Sequence, residues 1–200
     1  MSRPGSLVLA SGNPGKLAEL RGLLEDTGIE LVAQTGLGVA EAEETGASFI
    51  ENALLKARHA ARATGLPALA DDSGLCVDAL DGAPGLQTAR YAGPGADAHA
   101  NIARLLGALA GIAPADRGAH FHCVVALVRH AGDPAPLVCE GVWRGRVLDA
   151  PLGEGGFGYD PVFLDPALGL SAAQLDAATK QRVSHRAQAL RQLRARLDEF

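Results

Sequence analysis

The chain has 200 residues, of which 48% are hydrophobic and 20% are charged, and its formal net charge is -5. This composition excludes a disordered chain, and the length suits one domain, or one domain with two lobes. The acidic balance argues against a general nucleic-acid-binding protein, because such proteins need a basic surface.

The cysteines and the N-terminal sequence indicate where the protein works. Cys76, Cys123 and Cys139 are odd in number and form no CxxC pair, which favours reduced thiols over disulfides or a zinc site. The N-terminal apolar run is too short for a signal peptide, and no stretch is long enough to span a membrane. We therefore expect a soluble, cytoplasmic protein that binds neither membranes nor nucleic acid.

The first half of the chain alternates between predicted strands and helices. In chain order these are a strand at Ser6–Ala10, a helix at Lys16–Glu25, a strand at Glu30–Ala33, a helix from Ser48 to about Thr64, strands at Pro67–Ala70 and Leu75–Ala79, and a helix at Asp97–Leu109. Ser48 is the expected N-cap of its helix, and Glu51, three residues later, completes a capping box.

The second half begins with a predicted hairpin. Ala119–Arg129 and Leu137–Trp143 should pair antiparallel around the turn at 132–134, with Gly145–Leu148 as an extension. A final helix is predicted from Ser184 to about Leu197. The sequence therefore predicts an α/β fold with a mixed sheet, in a single domain of residues 1–200 without a separable linker.

The segment SGNPGK at 11–16 lies between the first predicted strand and helix, where free backbone N–H groups and the helix dipole attract anions. Gly12 and Gly15 permit a tight turn, and Lys16 adds positive charge. The spacing is not that of a Walker A loop, which needs GxxxxGK followed by Ser or Thr. Two interpretations stay open: a phosphate-binding segment, or an ordinary turn with an exposed lysine.

The sequence DDSG follows the predicted strand at Pro67–Ala70. Because adjacent strand residues point to opposite faces, Asp71 and Asp72 should have different roles. One carboxylate can bind magnesium or activate water, while the other supports the turn. An Asx turn explains the same residues equally well.

A second acidic group, Glu43 and Glu44, precedes the helix that carries Lys56 one turn beyond Asn52. We interpret Glu51 as a helix cap only. For Glu44 and Lys56, the DDSG segment that follows favours a functional role over a solvated loop and helix.

The sequence FGYDP at 157–161 is typical of a base-binding segment. Phe157 and Tyr159 can stack on a base, and Gly158 lets the backbone approach a flat ligand. Asp160 can contact the edge of the base.

Two basic residues, His185 and Arg186, lie in the first turn of the last predicted helix, with Lys180 shortly before them. Cations in a first turn oppose the helix dipole. A bound anion or an acidic base edge explains this better than a solvated turn.

His120 and His122 should share one face of a strand, and no third ligand is evident nearby, so we expect a surface pair and not a metal site. Trp143 and the cysteines are expected to lie in the core.

Several motifs in the same order make this chain resemble the inosine triphosphate pyrophosphatase family, from Leu7 to about Leu193. They are SGNPGK, AEETGASFIENALLKA, ALADDSGL, GAPG followed by ARYAG, FHC, GGFGYDP and SHR. The resemblance implies an elongated α/β molecule with an active-site cleft between two lobes, usually a homodimer.

The resemblance also implies roles for individual residues. The triphosphate would be held by Ser11, Gly12, Asn13, Pro14, Gly15 and Lys16. Asp72 would be the proton acceptor and a magnesium ligand, with Glu44 as the other ligand and Glu43 as the alternative, and Ser73 and Lys56 would line the site. The purine and its 6-oxo group would be held by Phe157, Gly158, Tyr159, Asp160, Lys180, His185 and Arg186.

The implied reaction is hydrolysis of dITP, ITP or XTP to the monophosphate and pyrophosphate, with Mg²⁺ as cofactor and Mn²⁺ as a substitute. Lys16 and Lys56 would stabilise charge on the departing pyrophosphate. Two alternatives stay open: a related pyrophosphatase for a modified pyrimidine or methylated nucleotide, and a module that senses a purine triphosphate without cleaving it.

Overall fold

The computed structural model describes residues 5–12, 14–24 and 27–200. The helices within these ranges are α1 (Pro14–Leu24), α2 (Phe49–Thr64), α3 (Ala98–Ala108), α4 (Ala177–Val183) and α5 (His185–Arg196). The strands are β1 (Ser6–Leu9), β2 (Glu30–Ala33), β3 (Ala68–Val77), β4 (Gly118–Val128), β5 (Leu137–Val147), β6 (Phe163–Asp165) and β7 (Leu170–Ser171). Short 3₁₀ helices lie at Gln34–Leu37, Asp78–Leu80, Gly85–Arg90, Pro114–Asp116, Asp160–Val162, Ala172–Gln174 and Leu197–Glu199.

The strands form one mixed sheet in the order β2-β1-β3-β4-β5-β6-β7. β1 runs parallel to both β2 and β3, and crossovers that contain α1 and α2 connect these strands, as parallel pairing requires. β6 runs antiparallel to both β5 and β7. The predicted α/β class with a mixed sheet is confirmed.

Most predicted helices begin and end close to their predicted bounds. α1 begins at Pro14, two residues before the predicted start, because the fixed φ of proline suits a first helical turn. The predicted end of that helix, Glu25, lies outside the described residues. The Ser48 side chain accepts a hydrogen bond from the Glu51 N–H and caps α2, as predicted. The Glu51 carboxylate accepts from Ala47 N–H at 2.6 Å.

β3 corrects the prediction of two strands separated by a turn. The strand runs unbroken from Ala68 to Val77 through the DDSG sequence, so the Asx-turn interpretation is wrong. Apolar side chains on both sides of this sequence, including Leu69 and Leu75, are fully buried. Strand pairing and burial therefore continue across the polar residues, whose charges are met by partners from other elements.

The chain divides into two compact units, each built from separate stretches of sequence. Unit 1 comprises residues 1–72, 123–141 and 186–200, and unit 2 comprises residues 73–122 and 142–185. The prediction of a single domain over residues 1–200 stays a prediction.

The core of unit 1 covers both faces of its part of the sheet. Because β-strand side chains alternate, Leu7 packs in a cluster with Leu190 of α5, whereas Val8 packs with Ala53 and Ala57 of α2. The alanines of α2 leave room for a close approach to the strands. β1 and β3 are therefore packed on one face against α5 and on the other face against α2.

The core of unit 2 is aromatic. Phe121, Phe163 and Trp143 contact one another, with ring centroids 4.6 Å apart for Phe121 and Phe163, 6.2 Å for Phe121 and Trp143, and 5.0 Å for Trp143 and Phe163. Trp143 is buried and its Nε1 donates to Asp165 at 2.9 Å, so the predicted core role is confirmed. Gly145 is required here, because a Cβ would collide with the Phe163 ring and the Leu164 carbonyl.

None of the three cysteines forms a disulfide; Cys123 and Cys139 are buried as predicted, and Cys76 is half-buried. Within the described ranges, none of the helices combines the length and apolar character needed to cross a membrane.

Candidate active site

The segment between β1 and α1 already contacts a carboxylate. Gly12 N–H donates to Glu41 Oε1 at 3.1 Å. A Cβ at Gly12 would lie 2.7 Å from the same oxygen, so only glycine permits this approach without a shift. The backbone here therefore presents an N–H group to an anion, as a phosphate-binding segment must. Asn13 lies outside the described residues.

Asp71 is a buried carboxylate with two cationic partners in unit 1. Its side chain is 1% exposed, and Oδ2 lies 3.0 Å from Lys16 Nζ and 3.3 Å from Arg186 Nε. Burial alone would raise the pKa of Asp71, yet Lys16 and Arg186 together hold it well below its usual range. Asp71 is therefore ionised at neutral pH and does not serve as a proton carrier.

Asp72, the next residue of β3, has a different set of partners. Lys56 Nζ lies 2.7 Å from Asp72 Oδ1 and also 2.7 Å from Glu44 Oε1. Asn52 Nδ2 donates to Asp72 Oδ2 at 3.3 Å. The adjacent carboxylates therefore have separate partners, since strand alternation directs them to opposite faces; their different roles stay a prediction.

The loop before α2 is connected to the same cluster through Asn52. Gly46 N–H donates to Asn52 Oδ1 at 2.8 Å, while the amide nitrogen of Asn52 reaches Asp72. Asn52 and Lys56 are four residues apart and therefore share one face of α2. That spacing was the available signal for Asn52, which sequence reasoning noted without assigning a role.

The charges of this cluster affect its proton affinities. Burial raises the pKa of Asp72, and the Lys56 ammonium opposes this shift without cancelling it; the nearby Glu44 raises it further. Burial would lower the pKa of Lys56, but its contacts with Asp72 and Glu44 raise it overall. Lys56 is therefore a permanent cation, and Asp72 is a stronger base than an ordinary aspartate.

The Glu44 and Asp72 carboxylates fit a magnesium ion. Both contact the same ammonium group, which shows that the pair converges on a position favourable to a cation. Mg²⁺ prefers one or two carboxylates and completes its octahedral shell with water and phosphate oxygens. No group of three or more His, Cys, Asp or Glu with metal-binding geometry occurs in the described part of the chain, so a cage built entirely from protein ligands is absent there.

The FGYDP segment in unit 2 is held by a charged pair. Asp160 Oδ2 accepts the Phe157 N–H at 2.7 Å and lies 2.5 Å from Lys180 Nζ. The Lys180 ammonium also lies 4.8 Å from the centroid of the Phe157 ring, in a cation–π contact. Phe157 is 46% exposed, a large fraction for an aromatic side chain, which suits a surface that stacks on a ligand.

Tyr159 does not present a stacking surface in this structure. It is 2% exposed, and its hydroxyl donates to the Thr88 carbonyl at 3.0 Å. Phe157 is therefore the aromatic residue of this segment that the structure makes accessible. The backbone at Gly158 has φ +61°, a left-handed conformation that favours glycine.

The basic residues near the C-terminus belong to two helices, where one was predicted. Lys180 lies in α4, which Asp176 caps by accepting the Thr179 N–H at 2.7 Å, and α5 begins at His185. The alternative of a solvated turn is wrong, because His185 and Arg186 are both buried. His185 stacks on Phe121 within unit 2, with ring centroids 4.8 Å apart.

Of the remaining predicted site residues, Ser73 is half-buried in β3 directly after Asp72, Ser11 is half-buried after β1, and Gly15 is exposed in α1. His120 and His122 are also half-buried, with ring centroids 6.4 Å apart. The structure thus gathers Lys16, Asp71 and Arg186 in one cluster of unit 1, and Glu44, Lys56 and Asp72 in another.

An α/β protein with paired carboxylates, an anion-binding segment and a basic aromatic segment has the properties of a nucleotide-processing enzyme. The Ham1 family model matches residues 7–196. The chain is 61% identical over 198 residues to the dITP/XTP pyrophosphatase of Ralstonia nicotianae, covering 97% of each chain. It also matches the solved structure of a HAM1 protein from Coxiella burnetii, with a TM-score of 0.92, 51% identity and coverage of 98% of this chain and 99% of that one.

A second solved structure, a nucleoside-triphosphatase described as a dITP/XTP pyrophosphatase from Mycobacterium abscessus, matches with a TM-score of 0.76 and 46% identity. The match covers 94% of this chain and 97% of that one. The chain therefore belongs to the Ham1 family, and the resemblance inferred from its motifs is confirmed.

Proposed function

We propose that this protein hydrolyses the deaminated purine nucleoside triphosphates dITP, ITP and XTP to the monophosphate and pyrophosphate. The observation that carries the proposal is the bridge from Lys56 to Glu44 and Asp72, in which two carboxylates converge on one cation. The names of the relatives from Ralstonia nicotianae and Mycobacterium abscessus supply the substrate class.

In the proposed reaction, Asp72 accepts a proton from the water that attacks the α-phosphorus. A bond forms between the water oxygen and phosphorus, and the bond from phosphorus to the α–β bridging oxygen breaks. The bonding electrons leave with the pyrophosphate, whose added charge Lys16 and Lys56 stabilise. The raised pKa of Asp72 supports its role as the base.

The proposed metal ion is Mg²⁺, for which Mn²⁺ can substitute, held by Glu44 and Asp72. When bound, it neutralises polyphosphate charge and polarises the phosphate oxygens. Phosphate oxygens complete a magnesium shell well, so a protein site with two carboxylates is sufficient.

The triphosphate is assigned to the segment between β1 and α1. Its N–H group at Gly12 already binds a carboxylate, and the N-terminus of α1 favours anions. The proposed phosphate-binding residues are Ser11, Gly12, Asn13, Pro14, Gly15, Lys16 and Ser73.

The base is assigned to the basic aromatic residues. Phe157 supplies the exposed ring, and Lys180 supplies an ammonium for the 6-oxo acceptor that hypoxanthine and xanthine share. Adenine carries an amino donor at this position, so it offers the Lys180 ammonium no acceptor there. The remaining proposed base-binding residues are Gly158, Tyr159, Asp160, His185 and Arg186.

Two further features belong to the proposal. Three cysteines that form no disulfide with one another support a cytoplasmic location. The family resemblance supports a homodimer, which sedimentation equilibrium would measure directly.

The test is a panel of ITP, XTP, dITP, GTP, ATP and dTTP, each with Mg²⁺ and with EDTA, in which pyrophosphate and orthophosphate are measured separately. We expect metal-dependent pyrophosphate from ITP, XTP and dITP, with little from ATP or GTP. An Asp72→Asn preparation controls for contaminating phosphatases. Release of orthophosphate, or tight binding of ITP without turnover, would contradict the proposed reaction.

A further inference from the structure

The buried Asp71 has no role in the proposed chemistry, although it lies beside residues that do. Its carboxylate is 1% exposed in unit 1, and one oxygen, Oδ2, contacts both Lys16 Nζ at 3.0 Å and Arg186 Nε at 3.3 Å. Burying a carboxylate is costly unless cations and hydrogen bonds compensate it. A charge retained in such a place therefore needs an explanation beyond packing.

The strand geometry separates Asp71 from the proposed base. Asp71 and Asp72 are consecutive in β3, so their side chains project from opposite faces. Asp72 contacts Lys56, whereas Asp71 contacts Lys16 from the first turn of α1. Each proposed pyrophosphate-stabilising lysine thus has its own aspartate.

A lysine needs such an anchor more than most residues. Its four-carbon chain is flexible, and its ammonium makes strong contacts without a fixed direction. A carboxylate in the interior of β3 is rigid, because core residues such as Leu69 and Leu75 hold the strand on both sides of it. An ion pair to this carboxylate restricts the position of the Lys16 ammonium beside β3.

The second cation, Arg186, allows Lys16 to move toward a ligand without leaving Asp71 uncompensated. If Lys16 alone neutralised Asp71, a shift of its ammonium toward a phosphate would expose an uncompensated buried charge. Arg186 contacts the same oxygen and is itself 4% exposed, so it keeps the carboxylate compensated while Lys16 moves. Lys16 can then share its ammonium between Asp71 and the ligand.

We propose that Asp71 is a positioning residue that holds Lys16 for the triphosphate and the departing pyrophosphate. This inference depends on the proposed function, in which Lys16 contacts the phosphates. In this proposal Asp71 is a ligand of neither the substrate nor the metal.

A double-mutant cycle tests the inference, using Asp71→Asn, Lys16→Met and the two changes combined, with kcat and KM for ITP as the readouts. Asp71→Asn should lower kcat/KM roughly tenfold in the wild-type background, in the range of couplings between contacting residues. In the Lys16→Met background the same change should alter kcat/KM by less than about twofold, because its target is already gone. An equal loss in both backgrounds would overturn the inference.

Thermal unfolding separates positioning from stability. Asp71→Asn also removes a counter-ion from Arg186, so the midpoint of unfolding should fall in both backgrounds, and by less in the Lys16→Met background, where the pair between Lys16 and Asp71 is already lost. If Asp71→Asn does not fold, Asp71→Glu keeps the charge near Arg186 and displaces the carboxylate by one methylene. That variant should lower kcat/KM in the wild-type background and not in the Lys16→Met background; a loss in both would again overturn the inference.

The proposed function has a separate control in the wild-type protein. If the wild type releases no pyrophosphate from ITP, the proposed function fails before the cycle begins. If the wild type is active and the cycle shows no coupling, only the role of Asp71 fails.

Discussion

Asp71 and Asp72 show how far two neighbouring carboxylates can differ. Asp71 is buried between Lys16 and Arg186, which lower its pKa, whereas the pKa of Asp72 is raised by burial that Lys56 does not fully offset. The low pKa keeps Asp71 as a fixed anion. The higher pKa makes Asp72 the better proton acceptor, because base strength rises with pKa as long as the group remains ionised.

Replacing Asp72 by Asn removes the proposed base and keeps the shape of the side chain. We expect kcat for ITP to fall by about 10²–10⁴-fold, the usual contribution of a general base, with a smaller change in the affinity for ITP. Steady-state kinetics and a separate binding titration would measure the two effects. Asp116→Asn, at an exposed position of unit 2, controls for the loss of one negative charge. Turnover of Asp72→Asn within a few-fold of wild type would contradict the assignment.

Glu44 and Glu43 can be distinguished as metal ligands by the dependence of activity on Mg²⁺. Glu44 contacts the same Lys56 ammonium as Asp72 does, which favours Glu44. We expect Glu44→Gln to raise the Mg²⁺ concentration for half-maximal activity by about tenfold or more, since a charged ligand is lost. Glu43→Gln is the matched control and should change it little. The reverse result would move the ligand to Glu43.

The element that carries Phe157 has a conformation maintained by a few polar contacts. Asp160 accepts the Phe157 N–H and pairs with Lys180 of α4, while the Phe157 ring is 46% exposed. A ring that contributes little to the core can be removed without unfolding unit 2. Its effect on substrate binding should therefore be measurable by itself.

Phe157→Ala should raise KM for ITP by about 5- to 150-fold, the range expected when a base loses an aromatic stacking partner worth about 1–3 kcal/mol. The midpoint of thermal unfolding should change little. Leu152→Ala removes a neighbouring side chain that is 48% exposed and serves as the control for lost apolar surface. Equal KM values for Phe157→Ala and wild type would exclude the ring from the base site.

Local patterns in the sequence were sufficient for most elements. Ser48 and Glu51 predicted the start of α2 because a cap is a contact between residues three apart. The continuity of β3 through DDSG was not predicted because it depends on distant residues, whereas α4 was missed although its Asp176 cap is a local contact. DDSG has the composition of a turn, yet Lys16, Lys56 and Arg186 compensate its charges within a strand.

The sequence predicted which residues belong to the site better than it predicted which of them contact one another. The motifs indicated Asp72, Glu44 and Lys56 through the family resemblance, and the structure brings these three together. The contact between Lys16 and Asp71 was not predictable, because it joins residues 55 positions apart whose proximity depends on the parallel pairing of β1 with β3. The burial of Tyr159 was missed for a similar reason, since its partner Thr88 belongs to a distant segment.

At the scale of the whole molecule, buried aspartates make stability depend on pH. Burial would raise the pKa of Asp133, but N–H groups of Arg129 and Ala135 and the Arg129 guanidinium lower it overall. Arg129 also donates to the carbonyls of Glu199 at 3.1 Å and Phe200 at 3.4 Å. Asp133 thus supports the contact between the loop after β4 and the C-terminus of the chain, both in unit 1.

The sign of the pH effect follows from the depressed pKa values of Asp71 and Asp133. Each carboxyl binds protons more weakly in the folded than in the unfolded chain, so unfolding takes up protons at acidic pH. The stability from these groups is complete above the unfolded pKa of about 4 and is lost as the pH falls through the lower folded values. Free energies of unfolding from urea titrations should therefore decrease from pH 5 to pH 3.

Asp133→Asn measures how much of the stability lost at acidic pH is due to Asp133, without altering the proposed active site. The variant should be less stable than wild type at pH 7, because the amide cannot replace the charged acceptor of Arg129. The difference should shrink as the pH falls below about 4, where the carboxyl of the unfolded wild-type chain becomes protonated, and should be smallest below the lower folded pKa. Urea titrations at pH 7, 5, 4 and 3 would measure it, with Asp116→Asn as the charge control. A difference that stays constant from pH 7 to pH 3 would mean that Asp133 acts through shape and not through its charge.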